Sequence, residues 1–296
     1  MADSSRIFGA HLSVAGGLHL ALVEARRLQA DAVQVFVKNQ RRWNAPPLTD
    51  EQVSAFHAAR RETGIRFVAA HASYLVNLAS PDAALRDRSI QGLADELTRC
   101  HLLGIDALVF HPGAAMGDSE SAAIERTASG LDAVFEAVGG GPTRVLVECT
   151  AGQGTTIGHR FDHLAAILAA CRHAPRAGVC LDTCHLFAAG HDFRTAEGYC
   201  AMVESFDREV GLARVACVHT NDSVGALDSR VDRHEHIGEG RIGLEGFSHF
   251  LHDERFAAVP FILETEHGEN EQGRDFNELN LERLRSLVAG RRARKA

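Results

Sequence analysis

The amino-acid sequence predicts an α/β chain folded as a single (β/α)8 TIM barrel, with its active site at the C-terminal ends of the strands. Three observations carry this expectation. Eight short apolar runs read as buried parallel strands, and segments of helical periodicity separate each run from the next. Most of the runs also end in a residue able to bind a metal, which is the end where such a barrel places its chemistry.

Taken in order, Ile7 to Ala10 forms the first run and ends at His11, and a helix follows over roughly Leu18 to Gln29. Ala32 to Val37 leads into Lys38, Asn39 and Gln40, and the next helix runs from Asp50 to Thr63, with Thr49 as its starting signal and Gly64 as its end. Arg66 to Ala70 leads to His71. The helix after it spans Asp82 to Leu103, opened by Ser80-Pro81-Asp82 and closed by Gly104. Leu108 to Phe110 leads to His111 and a helix over Glu120 to Val138, which Gly139 to Gly141 terminate. Val145 to Val147 leads to Glu148 and a helix over Phe161 to Cys171; Gly178 to Leu181 leads to Asp182 and a helix over Thr195 to Val210. Cys217 and Val218 lead to His219 and, after a long loop, a helix over Leu244 to Asp253. Phe261 to Leu263 leads to Glu264 and the last helix, Asn277 to Val288. The longest connections, Lys38 to Leu48, Ala151 to Arg160 and Thr220 to Gly243, fall on the catalytic face.

At 296 residues the chain is long for one domain, but barrels of this class reach about 250 residues as one unit. A single domain over 1–290 is expected, with a basic, frayed tail over 291–296. With 45% hydrophobic and 24% charged residues the composition is that of a soluble globular protein. No apolar stretch approaches the roughly 20 residues that span a bilayer, so no membrane role is expected. The N-terminal residues lack a basic start and an apolar segment, which points to a cytoplasmic protein. Seven cysteines make an odd count, and Cys149, Cys180 and Cys217 lie inside strand-like runs, where thiols act as small hydrophobes. The formal charge of −8 argues against nonspecific nucleic-acid binding without excluding a local site, because metal-binding carboxylates count as negative until a cation reverses their field.

A lone histidine at a strand end is more often a hydrogen-bonded core residue than a ligand. Here five histidines (His71, His111, His185, His219, His234) and four carboxylates (Glu148, Asp182, Asp232, Glu264) converge on one face. Uncompensated buried charges cost several kcal/mol each, roughly, and metal binding resolves that cost. Imidazole and carboxylate without thiolate suit zinc, manganese or iron, and affinity favours zinc. Nine ligands are too many for one ion and enough for three if one carboxylate bridges.

The motifs around these residues carry a family resemblance. Gly-Ala-His11-Leu-Ser, Lys38-Asn-Gln-Arg-Arg-Trp43, His71-Ala-Ser-Tyr-Leu-Val-Asn-Leu, Phe-His111-Pro-Gly, Glu148-Cys-Thr-Ala-Gly-Gln-Gly154, Leu-Asp-Thr-Cys-His185, His219-Thr-Asn-Asp222, Ser-Arg-Val-Asp-Arg-His234-Glu-His-Ile-Gly-Glu-Gly240 and Leu-Glu264-Thr closely resemble the endonuclease IV family, in uninterrupted order from about Ile7 to Leu287. The resemblance implies a zinc-dependent apurinic/apyrimidinic endonuclease: a DNA-repair enzyme that cleaves double-stranded DNA on the 5′ side of abasic sites, leaving a 3′-hydroxyl and a 5′-deoxyribose phosphate. Removal of 3′-blocking groups is implied as well, with no obligate protein partner. It further implies that His71, His111 and Glu148 hold one zinc, that Glu148, Asp182, His219 and Glu264 hold a second, and that His185, Asp232 and His234 hold the third. Glu148 would bridge two ions and orient a hydroxide nucleophile between them. Three dications outweigh four carboxylates and a hydroxide by about one charge, enough to receive a phosphodiester. By the same resemblance Arg41 and Tyr74 enter the duplex near the lesion, while Arg230 and Arg233 contact phosphates. Two positions depart from the family pattern: Val224 stands where a lysine is usual, and Cys149 where asparagine is common. His11, at the mouth, is expected to support the ligands without being one.

Two other readings compete. Related barrels use the same ligand types to isomerise or epimerise open-chain sugars, but need only one or two metals, so the set of His185, Asp232 and His234 separates the two. A non-catalytic binder of damaged DNA would share the site and lack turnover.

Overall fold

The structure, a computed structural model, describes residues 6–295, with side chains described to residue 290. Eight strands close a parallel barrel: β1 (Ile7–His11), β2 (Ala32–Val35), β3 (Phe67–His71), β4 (Ala107–Phe110), β5 (Arg144–Glu148), β6 (Ala177–Asp182), β7 (Val215–His219) and β10 (Pro260–Leu263). Each strand pairs in parallel with its neighbour, and β1 pairs with both β2 and β10 to complete the ring. A two-stranded antiparallel ribbon, β8 (Asp222–Ser223) with β9 (His234–Glu235), stands apart from it. Around the ring lie α1 (Leu18–Arg27), α2 (Asp50–Thr63), α3 (Ala83–Leu103), α4 (Glu120–Val138), α5 (Phe161–Ala170), α6 (Thr183–Ala188), α7 (Ala196–Glu209), α8 (Gly243–His252) and α9 (Phe276–Lys295).

Local chemistry explains the helix boundaries. Thr49 caps α2 through a reciprocal pair with Gln52, and Gly64 ends it in the left-handed region at φ 69°. Asp82 caps α3 by accepting from the amides of Ala84 and Leu85, so this helix starts one residue later than its periodicity suggests. Helix α1 stops at Arg27, short of Gln29, because Gln29 itself turns left-handed at φ 56°. Strand β2 ends at Val35, two residues before the apolar run does. At the other end of the chain α9 continues to Lys295, well past Val288, as the helix-forming Ala, Arg and Lys content of this segment permits. The backbone of residues 291–295 is helical, and Ala296 lies outside the described residues. The expectation about export rests partly on Met1–Ser5, which lie outside the described residues. Among the described residues no helix is long and apolar enough to cross a membrane.

Alternation along the strands creates two cores. Outward residues such as Phe8, Val33, Val68, Phe110, Val147, Leu181, Val218 and Phe261 pack against the helices. Inward residues form a separate small cluster of Ile7, Ala32, Ala69, Ala107, Val109, Leu146, Cys180, Cys217 and Ile262. Further along the same inward faces come His11, Gln34, His71, His111, Glu148, Asp182, His219 and Glu264, so a polar layer rests directly on the apolar floor. The two cysteines of that floor are buried, and burial drives the Cys180 thiol well above its ordinary range, as a small hydrophobe requires.

Close strand packing at this floor needs Gly9, where a Cβ would run into the Ala32 carbonyl of β2. Gly9→Ala should therefore destabilise the barrel by about 1–3 kcal/mol, as overpacking does. A thermal melt should show the midpoint falling by roughly 2–4 °C per kcal/mol; an unchanged midpoint would disprove the tight β1–β2 contact.

Candidate metal centre

Glu148 sits at the middle of the polar layer, fully buried. Its Oε2 lies 3.1 Å from His71 Nε2 and 3.2 Å from His111 Nε2, while its Oε1 lies 2.9 Å from His219 Nδ1 and 3.4 Å from His185 Nδ1. Glu264 Oε2 is 3.1 Å from the same His219 nitrogen. On the ribbon side, His185 Nε2 and His234 Nε2 approach Asp232 Oδ1 at 3.2 and 3.5 Å, and His234 Nε2 is 3.7 Å from Asp182 Oδ2. All nine residues singled out as ligands therefore meet in one place. They form three groups whose donor atoms are mutually close: His71, His111 and Glu148; Glu148, Asp182, His219 and Glu264; and His185 and His234 with Asp182. Asp232 is as near to this last pair as Asp182 is, so two carboxylates serve it.

Each element delivers its side chain for a local reason. Six of the nine stand at strand ends. His185 comes one turn later, on α6, whose first turn is capped by Asp182 accepting from the His185 amide at 2.8 Å. Asp232 and His234 arrive through the ribbon, and Asp222 anchors that loop by accepting from the amides of Gly238, Ile242 and Gly243. Asn221 fastens the layer from beside His219, donating to Asp182 Oδ2 at 2.6 Å and accepting from the Glu264 amide at 2.7 Å.

The donor set fits metal ions, and the ring tautomers show it. His71 Nδ1 lies 2.8 Å from the Ala72 carbonyl, His185 Nδ1 2.9 Å from the Cys149 carbonyl and His234 Nδ1 3.2 Å from the Glu264 carbonyl. A carbonyl only accepts, so in each neutral ring Nδ1 carries the proton and Nε2 turns a lone pair into the site. Nε2 of both His185 and His234 is buried without a hydrogen-bond partner. Charge tells the same story. Burial by itself raises a carboxyl, yet His219 and then His111 hold Glu148 well below the usual carboxylate range, and His219 does the same for Glu264. Burial likewise lowers an imidazole, yet Glu264 and Glu148 raise His219, and Asp182 raises His185. Where no ion is bound, the imidazole nitrogens that face Glu148 must carry protons, since a carboxylate only accepts, and a bound cation would take the place of those protons.

A second His and Glu group, Glu120 with His159 and His163, does not qualify. The Gly158 amide donates to His163 Nδ1 at 3.1 Å, which leaves the proton of the neutral ring on Nε2 and no lone pair there for an ion; that buried atom lies 3.3 Å from Glu120 Oε2 without hydrogen-bonding to it.

The residues singled out for DNA contact are placed unevenly. Tyr74 is 64% exposed, and its ring centre lies 5.4 Å from that of His71. Tyr74 and Arg233 line a cavity of about 310 Å³ together with His71, His111, His185, Asp232, His234 and Glu264. Arg41 and Arg230 are exposed but are not part of that wall; Arg230 has a left-handed backbone, φ 55°, and its amide donates to the Ala188 carbonyl at 2.9 Å. The loops of Arg41 and Tyr74 are clamped together. Glu96 of α3, fully buried, accepts from the Ser73 amide and pairs with Lys38 at 3.3 Å, while Ser73 Oγ donates to the Gln40 carbonyl at 2.7 Å. The sequence reading missed Glu96, Asn221 and Gln34. Asn221 at least stands inside a family-like motif; a helical glutamate and a mid-strand glutamine carry no signal of their own.

Comparison with known proteins places the chain among relatives. Residues 22–286 match the family of xylose isomerase-like TIM barrels. The chain is 48% identical over 281 residues to the "probable endonuclease 4" of Chloroflexus aggregans, covering 95% of this chain and 97% of that one. The crystal structure of endonuclease IV from Thermus thermophilus superposes with a TM-score of 0.84 at 39% identity, covering 96% of this chain and 99% of that one. A D-tagatose 3-epimerase-like protein superposes at 0.74 with 17% identity, covering 98% and 99%, a likeness of fold alone. With identity of this order spread over nearly its whole length, this chain belongs to the endonuclease IV family.

Proposed function

We propose that this protein is a zinc-dependent AP endonuclease that hydrolyses the phosphodiester 5′ to abasic sites in double-stranded DNA and also removes 3′-blocking groups. The observation that carries the reading is the placement of three separate histidines, each with Nδ1 on a backbone carbonyl and Nε2 directed at shared carboxylates, the arrangement in which a neutral ring offers Nε2 as a ligand. In this reading three zinc ions are held by His71, His111 and Glu148; by Glu148, Asp182, His219 and Glu264; and by His185, Asp232 and His234. When bound, the ions supply a water deprotonated near neutral pH and neutralise the charge of the phosphodiester and the departing 3′ oxygen.

The chain's own groups then have distinct tasks. Glu148 would orient the attacking hydroxide that the ions supply. Tyr74, exposed at the edge of the cavity, and Arg41, on the loop clamped to it, fill the space left by a missing base. Arg233 on the cavity wall, and Arg230 close to it in sequence, take phosphates. The epimerase reading gains nothing from the site, since the pair His185 and His234 with Asp232 provides ligands that an isomerase does not require.

Elemental analysis of purified protein should find close to three metals per chain, mostly zinc, and His234→Ala should remove mainly one of them. A stable content of one metal in fully active enzyme would defeat the three-ion assignment. Glu148→Gln should lose most turnover, because the neutral amide is a weaker ligand and cannot bridge two ions as the carboxylate would, while an abasic duplex is still bound and trapped uncleaved. Cleavage within about threefold of the wild-type rate would rule out that role. Arg41→Ala and Tyr74→Ala should weaken the preference for abasic over intact duplex without changing metal content, as titration of both duplexes would show. Equal affinities in both variants and the wild type would sink the loop assignment.

A further inference from the structure

Gln34 lies in the polar layer, yet none of the family-like motifs includes it. It is fully buried. One end of its side-chain amide is 2.6 Å from Glu264 Oε1, and the other is 2.9 Å from His219 Nε2. A carboxylate only accepts hydrogen bonds, so the amide nitrogen must face Glu264 and the amide oxygen must face His219. That oxygen in turn only accepts. His219 Nε2 therefore carries a proton, and in the neutral ring the lone pair falls on Nδ1, the atom that lies 2.9 Å from Glu148 and 3.1 Å from Glu264. The second amide hydrogen is directed to His11 Nδ1 at 3.1 Å, which gives His11 an acceptor's role in the same chain.

His219 differs here from its neighbours. His71, His185 and His234 each rest their second nitrogen on a backbone carbonyl, which no substitution removes. His219 rests on a side chain. We infer that Gln34 is a positioning residue that selects the tautomer of His219, holds the Glu264 carboxylate, and so sets the metal affinity of the group formed by Glu148, Asp182, His219 and Glu264. The inference rests on the zinc reading above. Partners of this kind fix ring orientation and raise ligand basicity, and losing one typically costs about 10–100-fold in affinity.

The test compares zinc-loaded wild type with Gln34→Leu and Gln34→Glu. Zinc release is followed with the chromophoric chelator 4-(2-pyridylazo)resorcinol, and the histidine ring nitrogens are followed by 15N-edited NMR. In the wild type His219 should coordinate through Nδ1, with a hydrogen-bonded proton on Nε2. Gln34→Leu removes acceptor and donor, so one zinc should be released at about 10–100-fold lower chelator concentration, and the Nε2 proton should lose its hydrogen-bonded shift. Gln34→Glu keeps an acceptor for His219 but sets a carboxylate against Glu264; the Nε2 proton signal should persist while the same zinc loosens. Zinc retention within about twofold of wild type in either folded variant would overturn the inference. So would Nε2 coordination of His219 in the wild type, an observation that needs no variant to fold. A wild type that holds no zinc is a separate outcome, and it strikes the metal reading itself.

Discussion

A carboxylate buried as completely as Glu148 persists only where positive charge or hydrogen-bond donors surround it, because the desolvation of an unpaired ion amounts to several kcal/mol, roughly. Four imidazoles supply that surrounding, two on each oxygen. The barrel makes the arrangement possible. Inward residues of parallel strands face one interior, so one step of two residues beyond the inner apolar cluster brings side chains from eight strands to the same end of the barrel. Packing and charge are thus coupled: the small inner residues let the strands close, and closure brings the ligands within reach of one another.

What surrounds the layer keeps it from relaxing. Second ring nitrogens are tied to carbonyls, Asn221 links Asp182 to the Glu264 backbone, and Asp222 ties the end of the ribbon loop to its beginning. Further out, the buried pair of Glu96 and Lys38 joins the two loops that carry Tyr74 and Arg41. A preorganised site of this kind needs little movement before it can bind metal or substrate, since its side chains are already held by the donors and acceptors packed around them. The side chains left exposed are those of the rim, Tyr74, Arg41 and Arg230.

Most of the barrel and six of the nine convergent side chains were legible in the sequence because a buried strand that ends in a possible ligand leaves two signals, an apolar run and an abrupt polar stop; His185, Asp232 and His234 showed only as histidines and a carboxylate following two of those strands. Gln34 left neither signal. The apolar pattern runs through it to Val37 although the strand stops at Val35, so the polar residue looks like an interruption and not a member of the layer. The ribbon strands were equally silent, since two residues each cannot show a period. Helix α6 is six residues long and wholly buried, so it has no polar face to mark it. Glu96 was hidden for the opposite reason: a glutamate on a helix ordinarily faces solvent, and only the loops packed over α3 reveal that this one does not.

The two departures from the family pattern sit where the backbone carries the contact. Cys149 contributes its carbonyl to His185, a bond indifferent to the side chain, and its thiol accepts from the Asp182 amide at 3.1 Å. Burial pushes that thiol up to about 12, so it stays neutral beside Glu148 and adds no charge to a layer already balanced between imidazole and carboxylate. Val224 is half exposed and meets the ribbon through its amide, which donates to the Arg233 carbonyl at 3.1 Å. Neither substitution touches the donor atoms of the three groups. A lysine at position 224 would add one positive charge at the rim, whereas the charge that attracts a phosphodiester in the proposed mechanism lies in the layer below, so that mechanism does not depend on it.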